Sequence, residues 1–195
     1  MGKPDKIIFL DIDGPMIPAT KYLDDRMASF NQNLDERCVM VLKKIIEKSD
    51  AQIVFNSTHS NMLELTKNKT TGEVVWPGLV DQFIKAGFNG DIHPSVSTEY
   101  PQIGYTGFNH DLFDQYNIDL SECASRHQSP EHHPRMAAIL SWLEKYKTDQ
   151  MLWVALDDVY IPHKRAYTVS YDDGIGIEAY NHCAQYLNYR DFLYL

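Results

Sequence analysis

Three short polar clusters in this 195-residue chain carry the side chains best able to do chemistry together: Asp11-Ile12-Asp13-Gly14, Asn56-Ser57-Thr58 and Asp157-Asp158. Each follows an apolar run, namely Ile7 to Leu10, Ile53-Val54-Phe55 and Leu152 to Leu156. In open α/β sheets ligands bind just beyond the carboxyl ends of the strands. Three parallel strands ending in this way therefore bring acids and hydroxyls into one crevice. Asp11 and Asp13 are two residues apart and share a side for as long as the strand continues, and Gly14 permits a tight turn after them. Carboxylates converging on one point repel unless a cation or a shared proton compensates. Hard oxygen ligands with room left for water suit Mg²⁺.

The elements that must position these clusters are written in the apolar periodicity. Short strand-like runs alternate with helical periods, the mark of an α/β fold. Ile7 to Leu10 reads as a strand buried on both faces. Cys38, Val41, Leu42, Ile45 and Ile46 recur at helical spacing and predict an amphipathic helix over about 35–48. Met136, Ile139, Leu140, Leu143 and Tyr146 write another, with Pro134 acceptable in its first turn and Trp142 and Tyr146 on its apolar side. A helix near 77–87 stopping at Gly87, a weaker strand at 166–169 and a last helix near 177–189 complete the pattern. Asp172-Asp173-Gly174 reads as a turn after the last strand. The expected architecture is one domain over residues 1–195, a doubly wound, Rossmann-like parallel sheet flanked by helices without a large separate cap. Residues 88–133 show no clean period, and 58–134 as a whole reads as an elaborated loop or lid region that selects substrate.

At this point the motifs resemble a known family. Ile8-Phe9-Leu10-Asp11-Ile12-Asp13-Gly14 resembles the hhhDxDG first motif of the haloacid dehalogenase-like (HAD) phosphohydrolases. Phe55-Asn56-Ser57-Thr58 is similar to their second motif, and Leu156-Asp157-Asp158 to their acidic fourth. The segment from Arg135 through Ile139 and Trp142 to Leu143 is similar to the one carrying the third-motif basic residue in the phosphatase-like domain of multifunctional RNA-repair proteins. Order and spacing fit over about residues 6–189. The resemblance implies a Mg²⁺-dependent phosphomonoester hydrolase. Asp11 would be the nucleophile that forms an aspartyl-phosphate, and Asp13 the general acid and then base. Ser57 would bond a phosphoryl oxygen and Arg135 would neutralise developing charge. Gly14, Asn56 and Thr58 would help bind substrate, and Asn56 or Thr58 could take the second-motif role instead of Ser57. Mg²⁺ would be held by Asp11, the backbone carbonyl of Asp13 and Asp158, with Asp157 as neighbour or water-mediated ligand. Arg135 stands where many relatives have Lys, and Lys145 and Lys164 are the other candidates for that role. Pro15 stiffens the turn after Gly14 relative to the small or β-branched residues commoner there.

The remaining features constrain partners. Lys and Arg number 18 against 27 Asp and Glu, a formal charge of −9, which argues against a protein held to nucleic acid by bulk charge. The expected partner is a phosphorylated substrate: a terminal phosphate on nucleic acid, a nucleotide or another phosphorylated molecule. No apolar run reaches the ~20 residues that span a bilayer, and no secretory signal is visible, so a cytoplasmic location without membrane partners is expected. Cys38, Cys123 and Cys183 are widely spaced and show no disulfide or zinc pattern. His127, His132 and His133, with Asp111 or Asp114, invite a metal reading, but a polar loop explains them more simply. A receiver-like module or a silent phosphate- and Mg²⁺-binding protein on the same fold is the rival reading. A receiver would place its acceptor Asp on a central strand, and none ends the 53–55 strand.

Overall fold

A computed structural model describes residues 5–20, 34–57, 66–67, 74–76, 78–98 and 133–192. Five strands form one all-parallel sheet: β1 (Lys6–Leu10), β2 (Gln52–Phe55), β5 (Ile92–Ser97), β6 (Leu152–Asp157) and β7 (Ala166–Thr168). Their spatial order is β5-β2-β1-β6-β7, and β3 (Thr66–Lys67) pairs separately with β4 (Val74–Trp76). The described helices are α1 (Glu36–Ser49), α2 (Leu79–Lys85), α3 (His133–Tyr146) and α4 (Ile177–Tyr186). The chain winds outward from β1 to β2 and β5, then returns past β1 to β6. The order thus reverses between β1 and β6, and the crevice at such a switch point is where doubly wound sheets bind ligands.

Alternation along the strands builds two cores. Ile8, Leu10, Ile53, Phe55, Val154 and Leu156 face α1, α2 and α4 through Leu42, Ile45, Phe83, Tyr180 and Cys183. Ile7, Phe9, Val54, Trp153 and Ala155 face α3 through Met136, Ile139, Leu140 and Leu143. Both faces of the central strands are covered, which is why β1 and β6 read as unbroken apolar runs. At the N-terminus of α1, Asp35 accepts from Arg37 N at 2.9 Å and Cys38 N at 3.2 Å, donors the first helical turn leaves unpaired.

Several expectations are corrected. The poorly patterned 88–133 interval contains β5, hidden from its sequence by Pro94 and by its half-buried, polar-rich composition, as befits an edge strand. The β3–β4 pair was likewise unread, being too short to show a period. Tyr146 is 37% exposed at the end of α3, whereas Trp142 is core as expected. The last helix ends at Tyr186, with Asn188 in a left-handed conformation just beyond it. Thr58, Asp111, Asp114, Cys123, His127 and His132 lie outside the described residues, as does most of the expected lid; His133 opens α3. Cys38 and Cys183 are buried free thiols. None of the described helices is long and apolar enough to cross a membrane.

Candidate active site

Sheet register lines up the chemistry. Leu10 pairs with Phe55 on one side and Leu156 on the other. Asn56 N then donates to Leu10 O at 2.8 Å, and Asp11 N to Leu156 O at 2.9 Å. Asn56, Asp11 and Asp157 therefore stand in one row across the carboxyl ends of β2, β1 and β6. Asp11, Asn56, Ser57 and Asp157 are all buried there.

One carboxylate oxygen from each of Asp11, Asp157 and Asp158 lies within 4.8 Å of the others. The carboxylate of Asp13 is not in this trio: β1 ends at Leu10, and Asp13 sits in a tight loop where it bridges to Ile17. Gly14 N donates to Ile17 O at 3.1 Å in the same loop. Gly14 has φ +77°, and a Cβ on it would stand 2.6 Å from Asp158 Cβ. Glycine is required twice over, by backbone conformation and by the approach of Asp158.

Arg135, in the first turn of α3, reaches into the row. Its Nη1 donates to Asp157 Oδ2 at 2.7 Å and to the Asn56 carbonyl at 3.3 Å. It also stands 2.7 Å from Asp11 Oδ2, with the Arg135 side chain 13% exposed and that of Asp11 1%. That contact is an ion pair out of line with an N–H, so Oδ1 and Oδ2 of Asp11 are buried without a hydrogen bond, as is Asp158 Oδ1. Asp157 is better satisfied, because Val159 N also donates to its Oδ1 at 2.9 Å. Burial, then the neighbouring Asp11 charge, pushes the Asp157 carboxyl well above the ordinary range against the pull of Arg135. The same two causes push Asp158 up to about 6. Buried, like-charged oxygens lacking donors are what a hard divalent cation relieves, and the donor set fits one.

One supporting residue was not singled out from the sequence. Thr98, just past β5, is buried and donates from Oγ1 to Asn56 Oδ1 at 2.9 Å. No motif marks it; only strand order brings it to the row. The Asp172-Asp173-Gly174 turn proves to buttress the site loop. Ile175 N donates to Pro15 O at 3.1 Å and Ala19 N to Tyr171 O at 2.8 Å. Gly174, at φ +75°, has no room for a Cβ between Cys38 Sγ and the Pro15 carbonyl.

Searches of curated proteins and of solved structures give no match to this chain. A family described as the HAD domain in Swiss Army Knife RNA repair proteins matches residues 7–181. That span runs from β1 through all four motif positions into α4. With an all-parallel sheet, acids at the switch point and this match over most of its length, the chain belongs to the HAD domain family of Swiss Army Knife RNA repair proteins.

Proposed function

We propose that the protein is a Mg²⁺-dependent phosphomonoester hydrolase working through an aspartyl-phosphate on Asp11. The observation that carries this reading is the Asp11 carboxylate itself: buried at the end of the central strand, within reach of two further acids and of Arg135, yet without a hydrogen bond. An oxygen so placed is held in register and keeps its lone pairs for an electrophile or a cation. Asp11 and Asp158, with their unbonded oxygens, would hold Mg²⁺, together with the Asp13 backbone carbonyl; Asp157, engaged by Arg135 and Val159 N, would orient the others from behind. Bound there, Mg²⁺ supplies charge neutralisation for the trianionic phosphoryl transition state.

The chain's own groups supply the rest. Asp11 attacks phosphorus in line with the ester oxygen, forming the aspartyl-phosphate and expelling the alcohol or alkoxide. Asp13 protonates that leaving oxygen and then takes a proton from the water that cleaves the acyl phosphate. Arg135, already bracketing Asp11 and Asp157, neutralises charge on the equatorial oxygens, and Ser57 or Asn56 donates to another. The substrate is a phosphate monoester: a terminal phosphate on nucleic acid, a nucleotide or another phosphorylated molecule. With a formal net charge of −9, local metal and arginine must hold it rather than bulk attraction.

The test is Mg²⁺-dependent release of phosphate from 4-nitrophenyl phosphate. Asp11→Asn removes the nucleophile while keeping shape, and the expected loss is about 10³-fold or more, as for one member of an interdependent catalytic unit. Turnover unchanged in Asp11→Asn refutes the mechanism.

A further inference from the structure

Edge strand β5 departs from regular pairing beside the site. Its partners jump from Ile53↔Ile92 to Phe55↔Ser97, so that His93, Pro94, Ser95 and Val96 stand opposite the single residue Val54. Val96 adopts φ +61°, a left-handed conformation that a β-branched residue rarely takes. The bulge is pinned: Trp142 Nε1 on α3 donates to Ser95 Oγ at 2.8 Å, and Ser95 N donates to His93 Nδ1 at 3.1 Å. Strain of this kind persists only where surrounding contacts enforce it, and bulges often re-aim side chains next to active sites.

The bulge decides which residue meets Asn56. Unbroken register from Ile53↔Ile92 would put Pro94 opposite Phe55 and Ser95 beside Asn56. With the extra residues accommodated, Thr98 takes that place, its N donating to Phe55 O at 2.9 Å. The Thr98 hydroxyl carries one proton and has two acceptors near it, Asn56 Oδ1 at 2.9 Å and Phe55 O at 3.3 Å. The shorter bond commits Asn56 Oδ1. The amide is then left to offer Nδ2, a group with donors and no acceptor. Asn56 neighbours Asp11 in the row, and a phosphoryl group there presents acceptor oxygens only.

We propose that Thr98 is a positioning residue: it locks the Asn56 amide so that Nδ2 donates to a non-bridging oxygen of the phosphoryl group attacked by Asp11. This rests on the phosphohydrolase reading and assigns the second-motif donor to Asn56, with its orientation set from the third strand of that side. Without the Thr98 hydroxyl, the amide can turn its oxygen toward the phosphate and repel it.

The test compares kcat and KM for 4-nitrophenyl phosphate with Mg²⁺ in the wild type, Thr98→Val, Thr98→Ser, Asn56→Ala and the double variant Thr98→Val with Asn56→Ala. Thr98→Val keeps the shape and removes the hydroxyl; kcat/KM falls about 5- to 10-fold, the worth of one well-made hydrogen bond. Thr98→Ser restores it to within about twofold, since the hydroxyl is retained. In the Asn56→Ala background Thr98→Val has no further effect, because the two residues act as one unit. If Thr98→Val does not fold, as judged by circular dichroism, Thr98→Ala replaces it in the same cycle. A wild-type-like kcat/KM in a folded hydroxyl-less variant, or an equal loss with and without Asn56, overturns the positioning role. A wild type inactive on every monoester, by contrast, overturns the phosphohydrolase reading itself.

Discussion

Replacing Gly14 by alanine tests how the loop after the first acid is built. Gly14 has φ +77°, and the new Cβ would stand 2.6 Å from Asp158 Cβ and 3.0 Å from its Cγ. A left-handed alanine costs about 1–2 kcal/mol. The overlap is about 1 Å inside the optimal carbon–carbon separation of roughly 3.5–4 Å. Neither Cβ sits on a flexible arm, so relief requires backbone movement, an overpacking cost of about 1–3 kcal/mol. The expected total is therefore about 2–5 kcal/mol, measured as a lower urea midpoint at constant slope. Asp158→Gly separates the two contributions by deleting the atom that is struck. In that background Gly14→Ala should cost only the left-handed part, leaving a coupling of about 1–3 kcal/mol in the double-mutant cycle. The movement also spreads the three carboxylates, so the rise in stability on adding Mg²⁺ should shrink in Gly14→Ala. A cost below about 1 kcal/mol, or one that is identical in both backgrounds, refutes the close-approach argument.

Two further outcomes are expected. Arg135→Met leaves Asp11 and Asp157, each 1% exposed, without the guanidinium nitrogen 2.7 Å from both, and should cost about 3–5 kcal/mol in urea unfolding. Arg135→Lys should recover only part of this, lacking the planar fork, whereas an Arg135→Met protein as stable as the wild type would show that the acids need no partner. Far from the site, burial, aided by the Arg165 and Lys164 charges, pushes the His163 imidazole down to about 4. Its Nδ1 accepts from Arg165 N at 3.0 Å, a bond that protonation removes. Because the folded value lies below the unfolded one, the unfolded chain takes up the proton first. This contribution to stability is therefore fully present above about pH 6.5 and is lost as pH falls toward 4. Discounted for partial exposure, it amounts to about 1–2 kcal/mol. His163→Asn keeps a side-chain acceptor for the residue two positions on but does not titrate. It should lose less stability than the wild type between pH 7 and pH 4, and parallel profiles would contradict the assignment.

Much of this arrangement is legible in the sequence. β1, β2 and β6 announced themselves as apolar runs because both of their faces are covered, and each ended at the expected polar cluster. α1 and α3 showed helical periods because each has one solvent face. β5 was not readable: an edge strand carrying Pro94 and a four-residue bulge has neither the alternation nor the continuous apolar run that marks a strand. Tyr146 misled for a related reason. Helical spacing placed it on the apolar side of α3, and its ring does meet His93 and Trp142, but as the last residue of the helix it remains partly in solvent. The Asp172-Asp173-Gly174 turn was recognised as a turn, while its support of the Pro15 loop needed the packing of distant segments.

What the sequence determined by itself was the chemistry: acids and hydroxyls at the ends of buried strands, a glycine after the first acid pair, and an arginine opening a helix. These are local facts, legible because strand burial and turn propensity act over a few residues. Tertiary structure alone decided which of those groups touch. Strand order sets β1 between β2 and β6, and register aligns Asn56, Asp11 and Asp157 in one row. Asp13, two residues from Asp11, is not part of the carboxylate trio, while Arg135, more than a hundred residues distant, stands beside it. A bulge in an edge strand then brings Thr98, rather than Ser95, to the amide of Asn56. The physical reason is that hydrogen-bonded pairing between strands is fixed by how whole elements pack, and a shift of one residue would exchange every side chain at the crevice for its neighbour.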